Sequence, residues 1–248
     1  MRIAVAGGTG RAGAQAVAVA GARGHDVVVL ARSTGVDLVR GTGVAEALVG
    51  VDAVIDASGV PAKVDPTGFH RAVTSSLMTA GAAAGVRHVV VLSIVGCDRA
   101  ASYALYGGKL AQEHATADGG IPFTIARTTQ FHEFARQVWE SGGLGLLHAA
   151  PRARTQPVAV SEVGARLVDF AESEPVNGRA RDFGGPREES LVEMVRGYRE
   201  AAGLRGTIVP VSLPGELGRA QRDGSLLPGP DADLGTQTFA EWLAALRA

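Results

Sequence analysis

Arg2-Ile3-Ala4-Val5-Ala6-Gly7-Gly8-Thr9-Gly10-Arg11-Ala12-Gly13 is the stretch on which the fold of this chain turns. Residues 2–6 are apolar after the first and read as a strand. The glycines then force a turn, and the alanine-rich Arg11–Ala22 continues as a helix. The spacing satisfies both Gly-x-x-Gly-x-x-Gly and Gly-x-Gly-x-x-Gly. One glycine permits the sharp turn, a second lets backbone approach a pyrophosphate, and a third lets the helix lie close to the strand. Free N–H groups and the positive end of the helix then face an anion. In this strand–turn–helix setting the pattern predicts a dinucleotide site at Gly7, Thr9, Gly10, Arg11, Ala12 and Gly13.

The next strand sets which dinucleotide is expected. Sites for NAD(H) usually carry an Asp or Glu at its end, about 20 residues on, for the ribose 2′-hydroxyl. Here His25–Ala31 ends in Arg32 and Ser33, without an acid. A guanidinium pairs with a 2′-phosphate that a carboxylate would repel. NADP(H) is therefore expected over NAD(H), with Arg32 as the reader and Arg11 as a second positive contact.

Further along, short β-branched runs alternate with helical patterns. Arg2–Ala6, His25–Ala31, Ala53–Ala57, His88–Ser93 and Phe123–Ala126 read as strands, apolar almost throughout, as strands covered on both faces must be. Arg11–Ala22, Thr67–Ala84 and Tyr103–Ala117 read as helices between them. The alternation predicts an α/β fold, a doubly wound parallel sheet of Rossmann type. Beyond it the pattern changes. Ser161–Ser173 reads as a helix capped by Ser161. Ser190-x-x-Glu193 reads as a capping box opening Leu191–Ala202, with Gly203 at its far end. Residues 210–230 are rich in Pro and Gly, and Trp242 and Leu243 sit in a short amphipathic helix. The organisation expected is one NAD(P)-binding domain over 1–248, with a core of about 1–127 and a smaller, interleaved substrate-side lobe of about 128–248.

Composition excludes several classes. The formal net charge of −1 over 248 residues gives no basic excess for nucleic acid or an anionic membrane. No apolar run nears the roughly 18 residues of a membrane span. A single Cys97 suits a reducing compartment, and the opening strand meets its glycine turn too soon for a signal peptide. A cytoplasmic protein is expected. The six histidines show no metal-ligand spacing, so no metal site is expected. Of 24 basic residues only Lys63 and Lys109 are lysines. A lysine kept against such a bias suggests a need for a compact or deprotonatable ammonium.

The Gly7–Gly13 turn, Ala31-Arg32, Val51–Asp56, His88–Gly96, Lys109-Leu110-Ala111-Gln112-Glu113, Thr124–Phe131, Gln156-Pro157-Val158 and Phe239–Leu243 together resemble the atypical short-chain dehydrogenase/reductases. The NmrA-like, NAD(P)H-binding branch is most similar, and the resemblance covers nearly the whole chain. It implies that Asp37 and Leu38, after a third strand, lie against the adenine. Ala57, Ser58 and Gly59 would follow the fourth strand and line the ribose and phosphates, and Ser93 would end the fifth beside the nicotinamide. Lys109 matches the lysine of the family's Tyr-x-x-x-Lys signature, which hydrogen-bonds the nicotinamide ribose. The tyrosine position holds Leu105 instead. Tyr106, three residues before Lys109, is displaced by about 100° on the helix, and either reaches a carbonyl from there or packs against the sheet. Gln130, Phe131 and His132 follow the sixth strand, where open α/β sheets bind ligands. His132 reads as a substrate contact or proton donor, or as a capping histidine.

Three functions are compatible with this reading. The first is an NADPH-dependent reductase of a small apolar or quinone-like carbonyl substrate, with Lys109 and Tyr106 on the proton path. The second is a non-catalytic NADP(H) sensor that regulates a protein partner. The third is a cofactor-retaining isomerase, epimerase or dehydratase. The sequence does not set the oligomeric state.

Overall fold

A computed structural model describes residues 1–247. In chain order the elements are β1 (Arg2–Ala6), α1 (Arg11–Ala22), β2 (Asp26–Leu30), α2 (Val44–Ala47), β3 (Ala53–Asp56), α3 (Pro66–Ala84), β4 (His88–Ile94), α4 (Ala104–Ala117) and β5 (Phe123–Thr128). There follow α5 (Phe134–Ser141), β6 (Gly143–Leu144), β7 (Leu147–Pro151), β8 (Arg154–Thr155), α6 (Val160–Glu172), β9 (Gly178–Arg179), β10 (Phe183–Gly184) and β11 (Glu189–Ser190). The last are α7 (Leu191–Ala201), β12 (Thr207–Val211), α8 (Gly215–Asp223), β13 (Asp233–Leu234) and α9 (Phe239–Arg247).

The chain divides into two units. The first comprises Met1–Arg127 and Val160–Arg181. Its strands lie in the order β2-β1-β3-β4-β5-β9, with parallel pairing of β1 to β2, β1 to β3, β3 to β4 and β5 to β9. This is the predicted parallel α/β sheet. The order reverses at β1, which creates the crevice where such sheets bind ligands. Ala4, Ala6, Val54, Val89 and Val91 form one core cluster with Val73, Leu77 and Met78 of α3 and with Val44 and Leu48. Strand alternation sends Ile3, Val5 and Ile55, all fully buried, to the opposite face. There α1 and α6 pack against each other and against the sheet.

Predicted and observed boundaries of the sheet elements agree within about two residues, the usual scatter of helix and strand ends. One strand is missing. No strand lies between β2 and β3, so Ala53–Asp56 is the third strand and not the fourth. Asp37 makes only an isolated antiparallel bridge with Thr42. The backbone ahead of it turns at Arg32–Thr34, held by Thr34 Oγ1 on the Val29 and Ala31 carbonyls (2.8 Å each), and behind it Asp37 Oδ1 accepts from the amides of Val39 (3.0 Å) and Arg40 (3.1 Å).

The second unit comprises Thr128–Ala159 and the described chain from Asp182 on. A small sheet pairs β12 with β7 in parallel and β7 with β6 in antiparallel. Its core gathers Trp139, Leu191, Met194, Val195, Tyr198, Ile208 and Phe239, with Trp242 and Leu243 packed against them. The Pro- and Gly-rich 210–230 region contains the end of β12 and the whole of α8. Two expected caps are absent. Helix α6 begins at Val160, so Ser161 lies inside it. Ser190 does precede α7, but its side chain makes no cap bond, and Glu193, the other half of the expected box, pairs with Arg196.

Gly164 of α6 tests the packing of the first unit. A Cβ there would lie 2.4 Å from Cβ of Gln15 and 2.8 Å from its backbone carbon. Gly164→Ala is expected to cost about 1–3 kcal/mol of stability by overpacking. At the exposed Gly21 of α1 an added Cβ would meet nothing within 4 Å, and Gly21→Ala is expected to gain about 0.5–1 kcal/mol. Urea unfolding of the two variants gives opposite signs.

Candidate functional site

The glycine turn is built by close approach. Gly7 has φ +72°, and a Cβ there would lie 2.7 Å from the Ala57 carbonyl oxygen. A Cβ on Gly13 would lie 2.2 Å from the Gly7 carbonyl oxygen. The Gly10 amide donates to that same oxygen at 2.8 Å. Gly10 caps α1 without a side chain, and the first turn holds no acid. The Ala14 amide donates to the Gly10 carbonyl at 2.8 Å, so the amides of Arg11, Ala12 and Gly13 precede the first helical bond. Thr9, Gly10 and Arg11 are exposed, while Ala12 and Gly13 are buried. The result is a positive, side-chain-free helix end that a diphosphate fits.

Arg32 is exposed at the tip of β2 and opens a short turn over Arg32–Thr34. Thr34 Oγ1 closes that turn by donating to the Val29 carbonyl (2.8 Å). Among the described residues Arg32 makes no ion pair or side-chain hydrogen bond. Leu38 is half-buried against the first unit's core. Ala57, Ser58 and Gly59 follow β3 directly, and Ser58 is held by its amide, which donates to Asp56 Oδ1 at 3.0 Å.

Lys109 is the centre of a buried polar chain. Its Nζ donates to the Leu92 carbonyl (2.9 Å) and to Gln112 Oε1 (2.9 Å), and Gln112 Nε2 donates to Asp56 Oδ2 (2.7 Å). Burial pushes the Lys109 ammonium down from 10.5 to about 8, and Asp56 opposes that fall most strongly. Ser93, at the end of β4, donates to Glu113 Oε1 at 2.5 Å. Glu113 also receives Arg127 in bidentate fashion, at 2.7 Å to each oxygen, and Arg127 reaches Asp98 at 2.7 Å. Burial and the neighbouring Glu113 push the Cys97 thiol up to about 11, which makes it a poor nucleophile. Composition and the glycine motif point to none of Asp56, Gln112, Glu113 or Arg127. Their signals were an acid ending an otherwise apolar strand and polar residues three and four places after Lys109.

Tyr106 is buried in the first turn of α4 and meets Tyr103 edge-to-face, with ring centroids 5.6 Å apart. Leu105 stands in the signature position and is half-buried. In the second unit, Gln130 Oε1 accepts from Thr155 Oγ1 at 2.9 Å, and Phe131 bridges Val158. His132 is fully buried, its Nε2 lies 3.2 Å from the Gln237 carbonyl, and its ring packs at a tilt on Phe239 and Trp242. A separate concavity of about 370 Å³ in this unit is lined by Arg152, Arg154, Glu188 and Arg222 among others, and contains none of the expected site residues. Among the described residues no group of side chains could hold a metal ion, and no helix is long and apolar enough to cross a membrane.

No protein-family model and no curated protein matches the chain. Solved structures do. A nucleoside-diphosphate-sugar epimerase from Staphylococcus aureus aligns with TM-score 0.74 at 17% identity, over 98% of this chain and 99% of that one. An NADPH-dependent quinone oxidoreductase from Escherichia coli, complexed with NADPH, aligns with TM-score 0.70 at 19% identity, over 98% and 99%. A triphenylmethane reductase from Citrobacter sp., complexed with NADP(H), aligns with TM-score 0.68 at 19% identity, over 93% of both chains. The chain thus shares with these proteins the Rossmann-type α/β fold that its sequence predicts.

His70 of α3 gives this region a pH signature. It is fully buried, neither ring nitrogen has a partner, and burial followed by the charge of Lys109 pushes it from 6.5 to about 3. The unfolded chain then binds a proton below pH 6.5 that the folded one refuses. Stability is fully present above 6.5 and falls as pH drops towards 3. His70→Leu is expected to flatten that acid limb, as read from urea midpoints between pH 4 and 7.

Proposed function

We propose that the first unit binds NADP(H), and that the protein is an NADPH-dependent oxidoreductase of the NmrA-like branch acting on a small, apolar or quinone-like carbonyl compound. The observation that carries this reading is the bare amino end of α1, whose first turn holds no acid, together with a guanidinium at the tip of β2 that makes no ion pair among the described residues. Gly7 and Gly13 let the turn pack tightly on the end of β3 and on the start of α1, the compact form that a diphosphate-binding turn needs. That the quinone and triphenylmethane reductases sharing this fold were crystallised with NADP(H) supports the same choice.

In this reading the amides of Arg11, Ala12 and Gly13 hold the diphosphate and Arg32 holds the 2′-phosphate, with Arg11 adding positive charge. Leu38 and Asp37 stand on the adenine side, and Ala57, Ser58 and Gly59 border the ribose. NADPH, when bound, supplies the hydride. Lys109 holds a proton at Nζ, and its lowered proton affinity allows that proton to be given up near neutral pH. Ser93 is fixed by Glu113 and presents the end of β4 to the nicotinamide. Tyr106 is a second hydroxyl on the helix that carries Lys109. Gln130 and Phe131 follow β5 on its carboxyl side and are proposed to meet the substrate.

Arg32→Glu is expected to weaken NADPH binding by about 1.5–3 kcal/mol, the range for losing a hydrogen bond to a charged group, and to leave NADH binding nearly unchanged. Isothermal titration calorimetry with both nucleotides reads the difference. Equal losses for the two would remove Arg32 from the 2′-phosphate. Loss of NADPH absorbance with a quinone or enone panel reads the reductase activity, and inertness across that panel with NADPH bound would leave a sensor.

A further inference from the structure

Two carboxylates surround Lys109 and are used differently. Glu113 gives both oxygens to Arg127, and so has its own cation. Asp56 is 1% exposed and has no cation in contact among the described residues. Its oxygens accept only from the Ser58 amide and from Gln112 Nε2, at 3.0 and 2.7 Å. An amide side chain donates at one end and accepts at the other. By donating to Asp56, Gln112 is obliged to turn Oε1 towards Lys109, whose Nζ lies 2.9 Å away. Asp56 and Lys109 are therefore an ion pair with an amide between them.

The surroundings leave this pair on its own. Helix α3 lies against α4, and a Cβ on Gly108 would be 2.6 Å from Pro66. One turn further along each helix come His70 and Gln112. His70 stays neutral above about pH 3 and adds no charge. Cys97, in the loop after β4, is a protonated thiol at neutral pH. Arg127 of β5 is matched by Glu113 and Asp98. Glu113 also favours the Lys109 ammonium, but less than Asp56, which is the stronger acid partner and the one without a cation in contact among the described residues.

We propose that Gln112 is a positioning residue for Lys109, an amide spacer that ties the ammonium to Asp56 as its counter-ion while preventing the two charges from closing into a direct pair. A direct carboxylate contact would fasten the proton to Nζ, and removal of the counter-ion would leave the buried amine neutral. The spacer sets a state between these limits. The inference rests on the proton-holding role given to Lys109 above, but its test requires no nucleotide.

The chain has only two lysines, Lys63 and Lys109, and Lys63 is exposed. Protein labelled with 13C at lysine Cε will show two signals, assigned by Lys63→Arg, whose pH titration NMR follows directly. Asp56→Asn and Gln112→Met, both close in volume to the residues they replace, are each expected to lower the Lys109 midpoint by about one to three pH units. The Lys63 signal should remain in place. Either variant titrating with the wild-type midpoint while folded by circular dichroism would overturn the proposal. Should Gln112→Met fail to fold, Asp56→Asn decides alone. A protein that shows both shifts and yet binds no NADPH would keep the spacer and lose the function assigned above.

Discussion

The bare helix start of the first unit depends on how closely Gly13 lies against Gly7. A methyl group at Gly13 would sit 2.2 Å from the Gly7 carbonyl oxygen, and one at Gly7 would sit 2.7 Å from that of Ala57. Glycine at both places draws the first helix onto the turn and the turn onto the end of β3. The helix start is then left without a side-chain cap or an acid, so its dipole and its free amides are offered to an outside anion. The exposed Arg32 at the next strand tip adds a full positive charge that no neighbouring residue takes up.

A second layer of design lies beneath this anion site. Lys109, Gln112, Asp56, Ser93, Glu113 and Arg127 are all buried, where an unmatched charge is costly. Cost is limited because charges are matched in sets: Arg127 with Glu113 and Asp98, Lys109 with Asp56 through Gln112. Such sets fix the ends of β3, β4 and β5 and the middle of α4 relative to one another. They also tune Lys109, whose burial favours the neutral amine and whose counter-ion favours the ammonium. Leu105 removes the usual phenol of the resembled family, while burial brings Lys109 down to about 8.

The parallel sheet was legible because its central strands β1, β3, β4 and β5 are buried almost throughout, which produces apolar runs, and because the helices between them keep a regular spacing. The glycine turn was legible for the same kind of reason, since backbone approach leaves a direct trace in residue type. Lys109 stood out through the rarity of lysine. The polar chain around it did not, because Asp56 and Gln112 are far apart in sequence and meet only through packing of α4 on the sheet. The strand expected before Asp37 was displaced by side-chain-to-backbone bonds within one turn. The two caps read from sequence failed within their own helices: α6 starts one residue before Ser161, and Glu193 pairs with Arg196, three residues on in α7. In sequence His132 reads as a substrate contact or proton donor, or as a surface or capping histidine; in the structure it is buried against Phe239 and Trp242, over a hundred positions away.

The most direct test is a 15N–1H NMR titration of the wild-type protein with NADPH, followed at assigned backbone amides. The account predicts saturable shifts at Arg11, Ala12 and Gly13 and at the Arg32 guanidinium, with weaker changes from NADH. Unchanged signals at these positions at saturating NADPH, or shifts confined to the arginine-lined concavity of the second unit, would contradict it.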